Sequence, residues 1–538
     1  MSLFVESIPS QFGNASPSVS LERGNYRMRA PALRPPPLLL QEKGRETVIP
    51  NRKVVHHRIN RTLVSLLMLL TVACLTCFGS AYYLYTTRWD IRIVSPYSTS
   101  NAVSEVVVSD MDIDDTDFSK KYLTYLPHSG FHNQRIALEN ALLLSHLLRR
   151  TLLVPPILLG NKPLRYVEYN TLFRHHELSS KEGLGHCPGI PVYISLPVEC
   201  LHYFETSYVP WTWLVDLSTL SAHQSLFHRP NMSQAWLHAR FSITSTDVYV
   251  LRDDTPYQFR FLDTLGDSSP PTDKYQEDVY ITELAAIPER LLQIGTLFGT
   301  SRLRLKNSDN IAYLEMVRRK MIFANLDLVA AADSISQSLH YSYLGVHLRS
   351  GDGKFKTAIG TTVKAIWWNI LHSMLNFSLA QICDVENKIL GDMSACMNSD
   401  MKHIVTVNSN AFPPNSSWPL AYKGPCRWSR HREQKYDLLN TPIYVATDLQ
   451  FPETHPEMLI MRQTFPCLFF LADFKKEITP LEKLVSPYDG VGLGQFVLPF
   501  VDGLVLGKAV NVVGTEGSTF SKFVKEVLWN NYTASVLD

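Results

Sequence analysis

Apolar and polar positions divide the chain into three regimes. Over residues 1–61 Pro, Ser and Arg are scattered without a helical or strand period, Pro35, Pro36 and Pro37 among them, which reads as a disordered tail. From Thr62 to Tyr85 run 24 residues without a charge, enough as a helix to cross a hydrocarbon layer of roughly 30 Å. This run is too long and too far along for the apolar part of a cleaved signal peptide, so it is expected to persist as an anchor. Lys43, Arg45, Arg52, Lys53, Arg58 and Arg61 precede it, whereas only Arg88 and Arg92 follow at similar distance, which assigns the preceding side to the cytosol. Tyr82, Tyr83, Tyr85 and Trp89 sit where amphipathic rings favour the far interface. Residues 86–120 are polar and end in Asp110, Asp112, Asp114, Asp115 and Asp117, the pattern of a solvated stem.

The third regime begins at Tyr122. A short apolar strand (YLTYLP), a glycine-containing turn (HSGFHNQ), an amphipathic helix from about Asn133 to Arg149 and a second strand (TLLVPP) form a βαβ opening. Ile136, Leu143 and Leu147 supply the apolar face of the helix, and the short apolar strands suit a parallel sheet buried on both faces. Residues 160–300 are rich in Pro, Tyr and Trp and give no assignable topology. A second alternation starts with YLGVHLRS at 343 and continues through strands at 403, 443 and 467, a helix over 491–508, the strand NVVG and a helix after Ser518. The expected architecture is α/β: two Rossmann-like domains, 121–335 and 336–538, facing a cleft, with ligands at the carboxyl ends of the strands.

Composition adds compartment more than chemistry. The 51 basic and 50 acidic side chains leave a formal charge of +1, which gives no reason to expect nucleic acid as a partner. Cys187, Cys200, Cys383, Cys396, Cys426 and Cys467 all follow the apolar run and lack the paired spacing of a zinc site. Three disulfides in an oxidising lumen are therefore expected, their pairing unassigned by spacing. Asn231, Asn376, Asn415 and Asn531 open N-x-Ser/Thr sequons on the same side. The Asp-x-Asp spacings of the stem precede the first strand and read as linker, and Asp253-Asp254 has no identifiable partners, so no divalent-metal cluster is expected.

Three blocks place polar groups just after expected strands: Ser129–Gln134 (SGFHNQ), Leu344–Asp352 (LGVHLRSGD) and Gly514–Ser521 (GTEGSTFS). In this order they resemble the blocks of the GDP-fucose protein O-fucosyltransferase family, closest to fungal type II membrane members. The resemblance implies a GT-B-like fold and an inverting, metal-independent transfer of fucose from GDP-fucose, as donor substrate and not cofactor, to a hydroxyl of a lumenal protein or glycan. It further implies a single-pass type II protein of the Golgi or endoplasmic reticulum membrane. Arg349 is then the catalytic arginine on the diphosphate and glycosidic oxygen, a role that a permanently charged, bidentate guanidinium suits. Asn133 resembles the sugar-site asparagine and His347 the nucleotide-contacting histidine. Gly130, Phe131, His132, Asp352, Ser518, Thr519 and Phe520 complete the donor site that the resemblance implies.

Each residue also has an ordinary structural reading: a surface salt bridge for Arg349, a core histidine for His347, a turn residue for Asp352, helix caps for Asn133 and Ser518. Glu139 reads as a structural partner, and Asp448 and Asp502 as acidic positions flanking the blocks. Some family members carry a glutamate before the Gly-Phe pair as general base. Ser129 stands there in this chain, which leaves the base open between His128, His132 and none. Two other functions fit the same blocks: a transferase using another donor such as GDP-mannose, and a catalytically silent, membrane-tethered glycan- or protein-binding module.

Overall fold

The computed structural model describes residues 19–21, 24–26, 68–80, 119–191, 193–264, 274–351, 353–391, 422 and 424–532. The expected stem aspartates, Asp352, Cys396, the strand at 403 and the sequon at Asn415 lie outside them. The chain divides into two compact units, Met1–Ile113 and Asp114–Asp538. In the first, β1 (Val19–Leu21) pairs antiparallel with β2 (Gly24–Tyr26), and residues 68–80 are helical and exposed throughout. Among the described residues no helix is long and apolar enough to cross a membrane; residues 62–67 and 81–85 of the expected membrane helix lie outside them.

The second unit is built on two parallel sheets. The first has the order β7-β4-β3-β11-β8: β3 is Tyr122–Tyr125, β4 Thr151–Val154, β7 Leu226–His228, β8 Val248–Leu251 and β11 Leu291–Ile294. Every pairing in it is parallel. The helix Phe131–Leu147 joins β3 to β4, and it is buried from Gln134 to Ser145 because it is covered on several sides. The second sheet has the order β15-β14-β13-β16, with β13 Leu344–Leu348, β14 Ile443–Thr447, β15 Leu468–Phe469 and β16 Asn511–Gly514, again all parallel. All five residues of β13 are buried, as expected for a central strand covered by helices on both faces.

The stretch that resisted assignment holds two small sheets. β5 (Ile157–Gly160) pairs antiparallel with β6 (Thr206–Val209), and β9 (Phe259–Leu262) lies between β10 (Glu277–Tyr280) and β12 (Leu303–Arg304). The helix Gly494–Gly507 packs beneath the second sheet, where Tyr444 of β14 donates to Asp502 Oδ1 at 2.6 Å. The disulfides Cys187–Cys200 and Cys426–Cys467 form, and Cys383 is also disulfide-bonded.

A buried junction ties distant segments of this unit together. Lys181 Nζ sits 2.7 Å from Asp489 Oδ2, with side-chain exposures of 9% and 2%. Asp489 Oδ1 accepts from Ser207 Oγ at 2.9 Å and from the Val491 amide at 3.1 Å. Removing one partner of such a pair leaves the other charge buried and uncompensated, at a cost of about 3–5 kcal/mol. Asp489→Ala is therefore expected to lower the unfolding free energy in urea by about that amount; a loss below about 1 kcal/mol, the range of exposed pairs, would show that the junction is not desolvated.

Candidate active site

The site grows from the carboxyl ends of the second sheet. Parallel register sets Leu348 of β13 opposite Thr447 of β14 and His347 opposite Gly514 of β16, so the residues that follow these strands converge. Asp448 accepts from the Ser350 amide at 2.6 Å, the Ser350 hydroxyl at 2.9 Å and the Gly351 amide at 3.0 Å. The same carboxylate pairs with Arg349 Nη1 at 2.7 Å. A Cβ on Gly351 would lie 2.6 Å from Asp448 Oδ2, so the approach that makes these bonds requires glycine.

From the other side, Thr515 clamps the same segment. Its hydroxyl accepts from the Arg349 amide at 2.9 Å and donates to the His347 carbonyl at 3.3 Å, while its own amide donates to that carbonyl at 3.0 Å. Arg349 is thus held at its amide by Thr515 and at its guanidinium by Asp448, and its side chain, 36% exposed, reaches solvent.

His347 points into the helix that follows β16. Its Nδ1 lies 2.6 Å from Ser521 Oγ, and its ring packs at 4.4 Å from that of Phe520. Burial pushes its pKa down to about 3, with Asp448 opposing and Arg349 assisting, so the imidazole is neutral. Ser518 Oγ accepts the Ser521 amide at 3.3 Å and so caps this helix. Gly517 turns the chain just before it with φ of +73°, and Lys354 Nζ lies 3.3 Å from where a Gly517 Cβ would stand.

The first helix supplies the opposite wall. Gly130 is its N-cap, with no side-chain capping bond, and a Cβ there would meet nothing within 4 Å. His132 packs edge-on against Phe520 at 4.6 Å and lies 5.2 Å from Phe523. Burial, then Arg135, His347 and Arg349 in that order, hold its pKa well below the ordinary value, and its Nδ1 is buried without a hydrogen-bond partner among the described residues. Phe131 turns away into a cluster with Trp211, Phe323 and Phe500, at ring distances of 5.7, 5.7 and 4.7 Å. Asn133, half-buried, stands on the first turn, its amide donating to the Gly130 carbonyl at 3.0 Å. Gln134 is structural: its amide group donates to Leu158 O at 2.9 Å and accepts from Leu158 N at 2.9 Å. Arg135 pairs with Glu139 and lies 4.4 Å over the Phe523 ring, which ties this helix to the last one.

The structure therefore brings His132, His347, Arg349, Ser518 and Phe520 into one neighbourhood, with Gly130, Asn133 and Thr519 at the starts of the two helices that border it. Asp352 lies outside the described residues. Asp502 does not belong to the group: it bonds Tyr444 near the amino end of β14, about 13 Å along the strand from Asp448 at roughly 3.3 Å per residue. Burial raises its pKa to about 7. Sequence reasoning gave Asp448 little weight and did not single out Thr515, Ser521 or Lys354. Thr515 carried a readable signal, since it follows β16 as Arg349 follows β13. Elsewhere His186, Cys187 and Cys200 lie close enough to share a cation, but the two sulfurs are joined in a disulfide and offer no thiolate.

Fold and site together define a parallel α/β protein with an arginine at the carboxyl end of a central strand, flanked by the buried His347, the partly buried His132 and two helix starts. No family model matches the sequence. Over 108 residues it is 35% identical to O-fucosyltransferase 30 of Arabidopsis thaliana, a match that spans 19% of this chain and 18% of that protein. This relative is a plant protein, so the expected closeness to fungal members gains no support from it. Among solved structures the chain is similar to POFUT1 in complex with GDP-fucose only at 12% identity over 75% of this chain and 93% of that one, with a TM-score of 0.31. The complex of POFUT1 with GDP gives 12% identity, 76% and 94% coverage and a TM-score of 0.32. Likeness at that level carries no functional weight.

The neutral state of His347 has a measurable consequence. Its folded pKa lies far below the ordinary value of about 6.5, so the unfolded chain takes up a proton that the folded chain refuses. Stability is fully present above about pH 6.5 and is lost as pH falls toward about 3. His347→Gln should flatten the fall in unfolding free energy between pH 6 and 4 by about 1.4 kcal/mol per pH unit. An unchanged slope would mean that the folded imidazole titrates normally.

Proposed function

We propose that this chain is a glycosyltransferase that moves fucose from GDP-fucose to a hydroxyl of a protein or glycan, with inversion and without a metal ion. The observation that carries the reading is Arg349, a fixed cation at the carboxyl end of the central strand β13, held by Asp448 and Thr515. A guanidinium so placed donates two parallel hydrogen bonds to diphosphate oxygens and meets the charge that grows as the glycosidic bond breaks. The 35% identity to an O-fucosyltransferase over 108 residues supports the same class.

In this reading Arg349 and Asn133 act on the reacting sugar. Gly130, Phe131, His132, His347, Asp352, Ser518, Thr519 and Phe520 bind the nucleotide sugar, Phe131 by packing the wall from behind. Residues 121–335 and 336–538 form the two domains. The disulfides Cys187–Cys200 and Cys426–Cys467 suit an oxidising lumen. The charge asymmetry around 62–85 suits a type II anchor in the Golgi or endoplasmic reticulum membrane.

The test uses GDP-fucose with water as acceptor. Wild-type protein should release GDP in the presence of EDTA. Arg349→Ala should lower the turnover about 10²–10³-fold, with a smaller loss of GDP affinity if the contact tightens in the transition state. Arg349→Lys should rescue poorly, because an ammonium lacks the planar fork. Near-normal turnover in a folded Arg349→Ala protein would remove the mechanism, and restoration by manganese after complete loss in EDTA would return the aspartates to consideration. GDP-mannose run in parallel decides the donor.

A further inference from the structure

We infer that the Ser129 hydroxyl, backed by His128, is the group that takes the proton from the attacking acceptor hydroxyl. The relay rests on the sugar-transfer reading above and adds a catalytic residue to it.

Ser129 is held in a conformation that its residue type avoids. Its φ is +67°, a left-handed geometry that a non-glycine residue adopts at a cost and keeps only where its surroundings impose it. The imposing contacts are visible: its amide donates to the Leu164 carbonyl, and its carbonyl accepts from Gln134 Nε2 at 3.1 Å. With both backbone groups committed, the hydroxyl points at His128, with Oγ 2.7 Å from Nδ1. The imidazole is fixed in turn by Thr296 Oγ1, 2.6 Å from Nε2. Thr296 is itself anchored, its amide donating to Asp253 Oδ2 at 2.8 Å. The chain Ser129–His128–Thr296–Asp253 therefore runs across the carboxyl ends of β3, β11 and β8.

Ser129 is only partly buried and Gly130 beside it is exposed, whereas His128 is 3% exposed. The next residues lead to His132, whose ring touches Phe520 in the Arg349 neighbourhood. A hydroxyl oxygen has two lone pairs and one proton, so Ser129 Oγ can accept from an acceptor hydroxyl while donating to His128 Nδ1. That requires the tautomer with the proton on Nε2, which donates to Thr296.

The acceptor oxygen forms a bond to C1 of the sugar as the bond from C1 to the β-phosphate oxygen breaks, and its electron pair leaves with the nucleoside diphosphate beside Arg349. The acceptor proton passes to Ser129 Oγ while the Ser129 proton passes to His128 Nδ1. Burial first, then Arg302 and His176, lowers the His128 pKa to about 3. The imidazole is therefore unprotonated at working pH, yet still more basic than the oxonium that forms as the new C–O bond is made. It returns the proton through Ser129 after the products leave.

The experiment is single-turnover release of GDP from GDP-fucose by the full chain, with water as acceptor, alongside GDP affinity. Ser129→Gly is the decisive variant, since glycine adopts the left-handed conformation readily and the fold is kept. Ser129→Gly, Ser129→Ala and His128→Gln should each slow release about 10²–10⁴-fold, the usual range for general-base assistance, with GDP affinity unchanged. Ser129→Gly combined with His128→Gln should be no slower than either alone, because the two act as one unit. The wild-type solvent deuterium effect should show two protons in flight, an effect lost in Ser129→Gly, which a merely structural serine would not produce. Wild-type turnover in folded Ser129→Gly overturns the relay and leaves the transferase reading intact. No GDP release by wild type overturns both.

Discussion

One carboxylate organises the site. Asp448 meets the Ser350 amide, the Ser350 hydroxyl, the Gly351 amide and the Arg349 guanidinium within 3.0 Å. Charge-assisted bonds of this kind are the strong ones, and they exist only because β13 and β14 are parallel neighbours in register. Thr515, from β16 on the other side, closes the clamp on the Arg349 backbone. A long, mobile side chain thereby becomes a preorganised group, which is what electrostatic stabilisation of a growing charge requires.

The walls around that group are joined by a small number of expensive interactions. Arg135 pairs with Glu139 inside the first helix and lies over the Phe523 ring of the last one. Lys181 and Asp489 join segments 308 residues apart. Buried pairs of this kind add little net stability but penalise every arrangement that separates them. The buried histidines follow the same logic: His128 and His347 are each neutral and each hydrogen-bonded to a hydroxyl. The neutral His347 thus adds no positive charge beside Arg349.

Much of this was legible in the sequence where burial is two-sided. The strands β3, β4, β13, β14 and β16 read as short apolar runs because both of their faces are covered, and Arg349 and His347 stood out because they end one such run. The stretch from 160 to 300 was not legible, since charged residues interrupt its apolar runs: β9 reads FRFL and β10 EDVY. Its most important strand, β11, inserts between β3 and β8, a non-local pairing that no periodicity announces. The bond from Ser350 to Asp448 spans 98 residues, so Asp448 looked like any acidic residue after a strand. Phe131 sits in a motif that resembles a ligand site, yet aromatic packing with Trp211 and Phe500 claims its ring. The expected membrane helix and the expected strand at 403 are not supplied by the described residues.

If Asp448 is an organiser of the arginine, its loss must weaken binding even though it removes a negative charge from a site for an anion. The direct measurement is the Kd for GDP of wild type and of Asp448→Asn, by isothermal titration at one fixed ionic strength. Asp448→Asn should bind GDP about tenfold more weakly or worse, a loss of about 1.4 kcal/mol or more, with Arg349 untouched. Equal or tighter binding would show that Asp448 merely competes with the nucleotide for Arg349, and would contradict the claim that this clamp builds the site.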